Sequence, residues 1–148
     1  MAIGYNRLAH EDRAIKGRNT VKFAQLAIIA VAVLMGACTQ APIRNVAQTP
    51  VVTGTGKPVT AEQVRSAIVR AGSGLGWQMT PVDPGLVSGR LALRGHVAVV
   101  DVRYTPKDFS ITYKDSTNLD YANGQIHKNY NGWIENLDRD IRANLLSL

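Results

Sequence analysis

The chain has 148 residues and a formal net charge of +6, and 45% of its residues are hydrophobic. This length and composition predict one domain of an ordinary globular protein. Five of the 17 basic residues and two of the 11 acidic residues precede Cys38, so the chain from Cys38 onward has a net charge of only +3. Its basic residues form no run or stripe, which argues against a nucleic-acid partner.

A secretory signal is predicted by an apolar run that ends shortly before the single cysteine. The run Leu26–Met35 contains ten apolar residues without a break, and Lys22 lies just before it. About 20 apolar residues are needed to span a bilayer, so this run is short for a transmembrane helix and typical of a signal-peptide core. An uncleaved signal anchor and a buried helix with a buried cysteine are the alternatives.

The residues around the cysteine, Met35-Gly36-Ala37-Cys38, resemble the lipobox of bacterial lipoproteins, with Met35 in place of the usual Leu. The resemblance implies that residues 1–37 are a signal peptide and that Cys38 is lipidated. Its thiol would carry diacylglycerol, and its freed amine would be acylated in turn, for example with palmitate. Two or more acyl chains hold a protein stably in a membrane. Thr39 after the cysteine, where an Asp is typical of inner-membrane retention in this family, implies the periplasmic face of the outer membrane.

The region before the apolar run is long for a lipoprotein signal. Val21-Lys22-Phe23 would make a compact start if translation began at Val21. We therefore expect residues 1–20 to be an over-extended start, which results from a start codon assigned too far upstream. Peptides from residues 1–20 in the unprocessed precursor would contradict this expectation.

Residues 38–57 are predicted to form a flexible tether. Beyond Cys38 this segment contains two Pro, two Gly and four Thr with little periodicity, a composition typical of coil. A coil of this length has a root-mean-square span of roughly 20–25 Å, which would lift a folded domain clear of the lipid headgroups.

The folded domain, residues 58–148, is expected to begin with a helix. Thr60 and Gln63 form a capping-box pattern, apolar residues follow at helical spacing, and Gly72 can end the helix. The glycine-rich segment Gly72–Gly76 is interpreted as a loop between helix and strand. It is not interpreted as a nucleotide-binding loop, because it follows a helix and lacks the G-x-G-x-x-G spacing.

Four strands and a second helix are predicted next. Apolar and polar residues alternate over residues 77–82, 86–94, 96–104 and 109–114, with turn residues between them, which predicts an antiparallel meander with one buried face. From Lys128 or Asn129 almost to Leu148, apolar residues recur at steps of three and four. The predicted fold class is therefore α+β: a helix, a four-stranded antiparallel meander sheet and a C-terminal helix, packed as a two-layer sandwich.

Two segments near the second helix carry a further resemblance. Ser116-x-Asn118-Leu119-x-Tyr121 and Ile126-His127-x-x-Tyr130-Asn131-x-Trp133 are similar to segments of small uncharacterised proteobacterial lipoproteins. The resemblance covers about half of the chain after Cys38. It implies a cellular location and a rough size, and it implies no reaction.

The densest group of polar and aromatic residues lies in the same region, and we treat it as a candidate binding surface, the Tyr113–Trp133 surface. Such a group could bind a glycan, a peptide or a partner strand. Alternatively, Asn118 and Asn123 shape the loop, and buried polar atoms are satisfied locally by Tyr121, His127 and Tyr130. The members of the surface are Tyr113, Asn118, Tyr121, Asn123, His127, Tyr130, Asn131 and Trp133.

No catalytic residue, cofactor or metal site is predicted. A Ser116–His127–Asp120 triad can be drawn, but it lacks a nucleophile-elbow signature and a recognisable oxyanion hole. A zinc site needs three or four ligands, whereas the chain after the signal has two His residues, His96 and His127, and a Cys committed to lipid.

Two functions stay open. The first is a non-enzymatic accessory or interaction protein of the envelope, which docks to a protein partner through a sheet edge or the Tyr113–Trp133 surface. The second is a small module that binds a peptidoglycan fragment or a lipid. A pocket lined by Trp133 and Tyr121 would favour the second function, and a flat polar surface would favour the first.

Overall fold

The computed structural model describes residues 39–148. The predicted signal peptide, the expected over-extended start and the lipidation site at Cys38 lie outside the described residues. The helices and strands of the described part are β1 (Gln40–Pro42), β2 (Val46–Pro50), α1 (Ala61–Gly74), β3 (Gln78–Asp83), β4 (Leu86–Leu93), β5 (His96–Tyr104), β6 (Asp108–Thr117), β7 (Gln125–His127) and α2 (Lys128–Leu146).

The first helix begins at the capping box that the sequence predicts. The backbone N–H of Gln63 donates to Thr60 Oγ1 at 3.2 Å, and the backbone N–H of Thr60 donates to Gln63 Oε1 at 2.8 Å. These two bonds satisfy N–H groups at the helix start that have no partner within the helix. The apolar stripe of α1 is buried, with Val64, Ala67 and Ile68 fully inaccessible to solvent.

The predicted meander is present and is extended by one strand. Strands β3 to β6 pair antiparallel in chain order, and β2 adds to β6, so the strand order of the sheet is β2-β6-β5-β4-β3. A separate two-stranded sheet joins β1 to β7. One face of the larger sheet and the apolar stripes of both helices form a single hydrophobic core. The α+β class is therefore confirmed, with five strands in the main sheet where four were predicted.

The prediction of a flexible tether over residues 38–57 is wrong where β1 and β2 form. Strand β1 pairs with β7, and β2 pairs with β6 through Val46 opposite Ile111. Val46 is only 9% exposed and belongs to the core, and Thr49 is 4% exposed and accepts a hydrogen bond from the Arg142 side chain. Both strands are short, and a bulge between Val46 and Thr49 breaks the two-residue alternation, so the strand pattern is hidden in the sequence.

Residues 51–57 are also held against the domain. The backbone N–H of Val51 donates to the Lys107 carbonyl at 2.8 Å, and that of Gly54 donates to the Leu146 carbonyl at 3.1 Å. The Thr55 hydroxyl donates to the C-terminal Leu148 carbonyl at 3.3 Å. The segment is thus fixed to the end of α2 and to the turn between β5 and β6.

We expect Gly54→Ala to lower the free energy of unfolding by about 1–3 kcal/mol. A Cβ atom at Gly54 would clash with the backbone carbonyl oxygen of Leu146, so the segment or the end of α2 has to move. Gly132→Ala is the matched control, because a Cβ atom at this helical position meets nothing within 4 Å. It is expected to stabilise the protein by about 0.5–1 kcal/mol. Chemical denaturation measures both, and an unchanged stability for Gly54→Ala would contradict the packing of residues 51–57.

Candidate functional site

The Tyr113–Trp133 surface surrounds the start of α2. Its members come from β6, from the loop of residues 118–124, from β7 and from the first turns of α2. The structure brings them together because β7 leads directly into the helix and the preceding loop packs beside it. Their surroundings differ, and these differences decide which members are free to meet a partner.

Three tyrosines of the surface form one aromatic group. The ring centroids of Tyr113 and Tyr121 are 4.4 Å apart and tilted by 30°, and those of Tyr113 and Tyr130 are 5.8 Å apart in an edge-on arrangement. The Tyr113–Tyr130 separation lies within the range of favourable aromatic pairs, and the Tyr113–Tyr121 separation lies at its short limit. The Tyr121 side chain is 46% exposed and Tyr130 is fully buried, so Tyr121 presents this group to solvent.

The buried hydroxyl of Tyr130 has no hydrogen-bond partner among residues 39–148. The interpretation that this tyrosine satisfies a buried polar atom locally is therefore wrong for this part of the chain. Desolvation by burial, and secondly the neighbouring Tyr113, raise the pKa of Tyr130 above its ordinary value of 10.0. The ring is needed for packing, and the hydroxyl contributes no contact that offsets its desolvation.

Two asparagines shape the loop. Asn118 and Asn123 have φ angles of 57° and 52°, in the left-handed region that Asn tolerates better than most residues. The Asn118 side-chain amide donates to the Gly95 carbonyl at 2.7 Å, which joins the loop to the turn between β4 and β5. Asn123 and Gly124 form the centre of a tight turn closed by reciprocal hydrogen bonds between Ala122 and Gln125.

Asn131 fixes the N-terminal segment to α2. Its Nδ2 donates to the Pro42 carbonyl and its Oδ1 accepts from the Arg44 backbone N–H, both at 2.9 Å. A related contact joins Asn45 Oδ1 to the backbone N–H of Tyr113 at 2.8 Å. The roles of Asn131 and Asn45 were not predicted, because each partner lies far away in the sequence.

We expect Asn131→Ala to lower the free energy of unfolding by about 1–3 kcal/mol, because it leaves a carbonyl and an N–H of residues 42–44 without partners. Hydrogen exchange in residues 40–44 should accelerate in the same variant. Asn129→Ala is the control, since Asn129 is exposed near the same helix end and is expected to change stability by less than about 0.5 kcal/mol. Equal effects of the two variants would show that Asn131 does not hold the N-terminal segment.

The members of the drawn triad take part in other contacts. The backbone N–H of Asn129 donates to His127 Nδ1 at 3.3 Å, and the His127 ring stacks on His96 with centroids 5.9 Å apart. The Ser116 hydroxyl is paired with the Tyr113 hydroxyl at 3.0 Å. None of these contacts links Ser116 to His127.

Trp133, the last member of the Tyr113–Trp133 surface, is half-buried against the core.

Two surface clefts lie away from the Tyr113–Trp133 surface. The larger has a volume of about 530 Å³ and lies between the start of α1, Tyr104 and the turn of residues 81–85. The smaller, of about 180 Å³, lies between Val52 and the end of α2. Neither cleft is lined by Tyr121 or Trp133.

Comparisons with known proteins add no constraint on this site. No family model, curated protein or solved structure matches the chain. Within residues 39–148, no three or more His, Cys, Asp and Glu side chains are grouped so that they could hold a metal ion. Of the two helices in that part of the chain, neither is long and apolar enough to cross a membrane.

Proposed function

We propose that this chain is an envelope lipoprotein whose α+β domain is a non-enzymatic accessory protein that binds an envelope protein partner. The proposal is carried by the sequence Met35-Gly36-Ala37-Cys38 directly behind a ten-residue apolar run. Acyl chains on Cys38 anchor the domain in a membrane. Thr39 supports a location at the periplasmic face of the outer membrane.

Tyr121 is the side chain best suited to meet the partner. It is exposed, and its ring is supported from behind by the ring of Tyr113. A tyrosine that is already ordered loses little conformational freedom on binding, and aromatic side chains are enriched at protein interfaces. By contrast, Asn118 and Asn131 have hydrogen-bonded structural roles within the domain.

The sheet edges are less suited to a partner strand. The main sheet has β2 and β3 at its edges, and both strands carry a register irregularity, between Val46 and Thr49 and between Pro81 and Asp83. Proline lacks the N–H that strand pairing requires, and bulges bend an edge away from a flat template. Pro50 and Pro81 therefore support docking on the Tyr113–Trp133 surface in preference to an edge.

Lipidation is tested by the intact mass of the protein from the membrane fraction. The expected mass is that of residues 38–148 with diacylglycerol and a further acyl chain on Cys38. A mass that retains residues before Cys38, or that lacks acyl chains, would contradict the lipoprotein assignment.

The partner surface is tested by photo-crosslinking in cells from position 121. We expect one defined protein adduct, which is lost when Tyr113→Ala removes the supporting ring and when Cys38→Ser removes the anchor. Crosslinking from Val82, which is exposed but lies in another part of the domain, is the control. Adducts of the same identity and yield from both positions would show that Tyr121 does not mark a specific interface.

The larger cleft favours a second candidate function, the binding of a small envelope ligand. Its volume of about 530 Å³ falls within the range of small-molecule sites, and it is bordered by the Glu62–Arg65 ion pair with an N–O distance of 2.6 Å. Titration with soluble peptidoglycan fragments, followed by NMR, tests this function. Shifts confined to residues 61–65 and 81–85 would support it, and their absence at millimolar ligand would contradict it.

A further inference from the structure

Thr39, the first described residue, is fixed to the start of α2. Its carbonyl accepts a hydrogen bond from the Lys128 backbone N–H at 2.8 Å. The next residue, Gln40, is in β1, and its side-chain amide donates to the Asp120 carbonyl at 2.8 Å. The chain after Cys38 therefore enters the folded domain at once, without the free tether that its composition predicts.

The start of α2 lies beside the turn between β4 and β5. The rings of His127 and His96 stack across this junction, and Asn118 bonds the carbonyl of Gly95 in the turn. These contacts place the point where the chain enters the domain at one end of the main sheet. We call this the proximal end and define it by Thr39, Leu93, Arg94, Gly95, His96, Asn118 and Lys128.

We propose that the proximal end rests on the membrane surface, with Arg94 and Lys128 facing the anionic headgroups of phospholipids. This inference rests on the proposed acylation of Cys38. Consecutive Cα atoms are about 3.8 Å apart, so an acylated Cys38 holds Thr39 at the level of the headgroups. The domain cannot move away from the surface without breaking contacts of β1.

The chemistry of the proximal end suits an anionic surface. Arg94 and Lys128 are exposed, and among the described residues neither pairs with a carboxylate within ion-pair distance. These two cations outnumber the single acidic residue, Asp120, in the adjoining loop of residues 118–124. Leu93 is 45% exposed and adds an apolar side chain beside the two cations. Basic residues next to a lipid anchor are attracted by anionic headgroups.

The opposite end of the sheet then faces away from the membrane. It carries the turn of residues 83–85 between β3 and β4 and the turn of residues 105–107 between β5 and β6. Strands of this length separate the two ends by roughly 25 Å. Both clefts and the exposed Val82 lie at this far end, so they are open to the space beyond the membrane.

Fluorescence quenching by spin-labelled lipids tests the orientation. The full-length protein, expressed and processed in cells, is reconstituted into vesicles that contain anionic phospholipid and a headgroup-labelled nitroxide lipid. A fluorophore is attached to Leu93→Cys or, as the matched control, to Val82→Cys, both of which are exposed apolar positions before a turn. The natural thiol of Cys38 does not react, because it is held in the thioether. We expect quenching at position 93 to exceed that at position 82 at least threefold.

Three outcomes would overturn the inference, and they are distinguishable. Equal quenching at the two positions, in protein whose mass shows acyl chains on Cys38, would contradict the orientation and leave the lipoprotein assignment intact. Absence of acyl chains would contradict both. In protein with a linker of about 12 Gly and Ser residues after Cys38, spanning roughly 20 Å, quenching at position 93 should be stronger with anionic than with zwitterionic lipid. Equal values there would show that Arg94 and Lys128 do not face the headgroups.

Discussion

Cys38→Ser is expected to abolish outer-membrane fractionation and to leave a precursor that retains the signal peptide. A serine hydroxyl cannot form the thioether that carries diacylglycerol, and cleavage of a lipoprotein signal follows that attachment. On the proposed function, the acyl chains on Cys38 are what retains the domain at the membrane, so their loss releases it. Fractionation and immunoblotting of the precursor and mature forms measure this result.

Met35→Leu is the matched control for this variant. It restores the residue that is usual at this position of the lipobox, and we expect processing at least as complete as in the natural chain. A Cys38→Ser protein that is still recovered in the outer membrane would show that the lipoprotein assignment is wrong. Incomplete processing of the natural chain, corrected by Met35→Leu, would instead show that Met35 limits cleavage.

Tyr130→Ala is expected to lower the free energy of unfolding by about 3–5 kcal/mol, because it removes a fully buried aromatic ring and leaves a cavity. Tyr130→Phe is expected to do the opposite and raise stability by about 1 kcal/mol. It keeps the ring and removes a hydroxyl that is buried without a partner among the described residues, so the desolvation cost of that group disappears. Chemical denaturation at neutral pH measures both changes.

We also expect the stability of the natural protein and that of Tyr130→Phe to depend differently on alkaline pH. Burial holds the pKa of Tyr130 in the folded state above its ordinary value of 10.0, so the unfolded chain loses this proton first as the pH rises. The unfolded state then binds fewer protons than the folded state, and stability falls above about pH 10. Tyr130→Phe should reduce this fall. A loss of more than 1 kcal/mol in Tyr130→Phe at neutral pH would show that the hydroxyl is hydrogen-bonded after all.

The parts of the fold that could be predicted are those built from continuous local patterns. The capping box at Thr60 places the start of α1, the alternation over residues 77–114 gives the meander, and the three-and-four spacing gives α2. These signals depend on neighbours within a few residues. Ile126 shows where this spacing misleads. It continues the apolar stripe of α2 in the sequence, but it lies in β7.

The N-terminal strands could not be predicted because their partners are distant. β1 has only three residues, and its pairing with β7 depends on a turn at Asn123 that places Gln125–His127 beside it. Pro42 and Pro50 indicate coil to any local analysis, although both lie within short strands. The register of β2 depends on the burial of Val46 and Thr49. That of β1 depends on pairing with β7 and on the hydrogen bond from Asn131 to Pro42.

The sequence predicts that the residues of the candidate site lie close together, but it does not predict the exposure or the contacts of each one. Its members are close in sequence, so the fold keeps them together around the start of α2. Which of them are free to contact a partner depends on contacts that sequence spacing does not reveal. Asn131 is engaged with Pro42, 89 residues away, and Tyr130 points into the core, whereas Tyr121 faces solvent.

If the chain is exported as proposed, the pairing of β1 with β7 also fixes the order in which its segments can fold. Residues 40–50 would emerge from the translocation channel long before residues 108–127, which contain the partners of β1 and β2. Contacts between segments so far apart cannot form until the later segment has arrived. On the proposed route, residues 40–50 would therefore remain unpaired throughout that interval, so the acylating and cleaving enzymes would reach Cys38 before β1 and β2 join the folded domain.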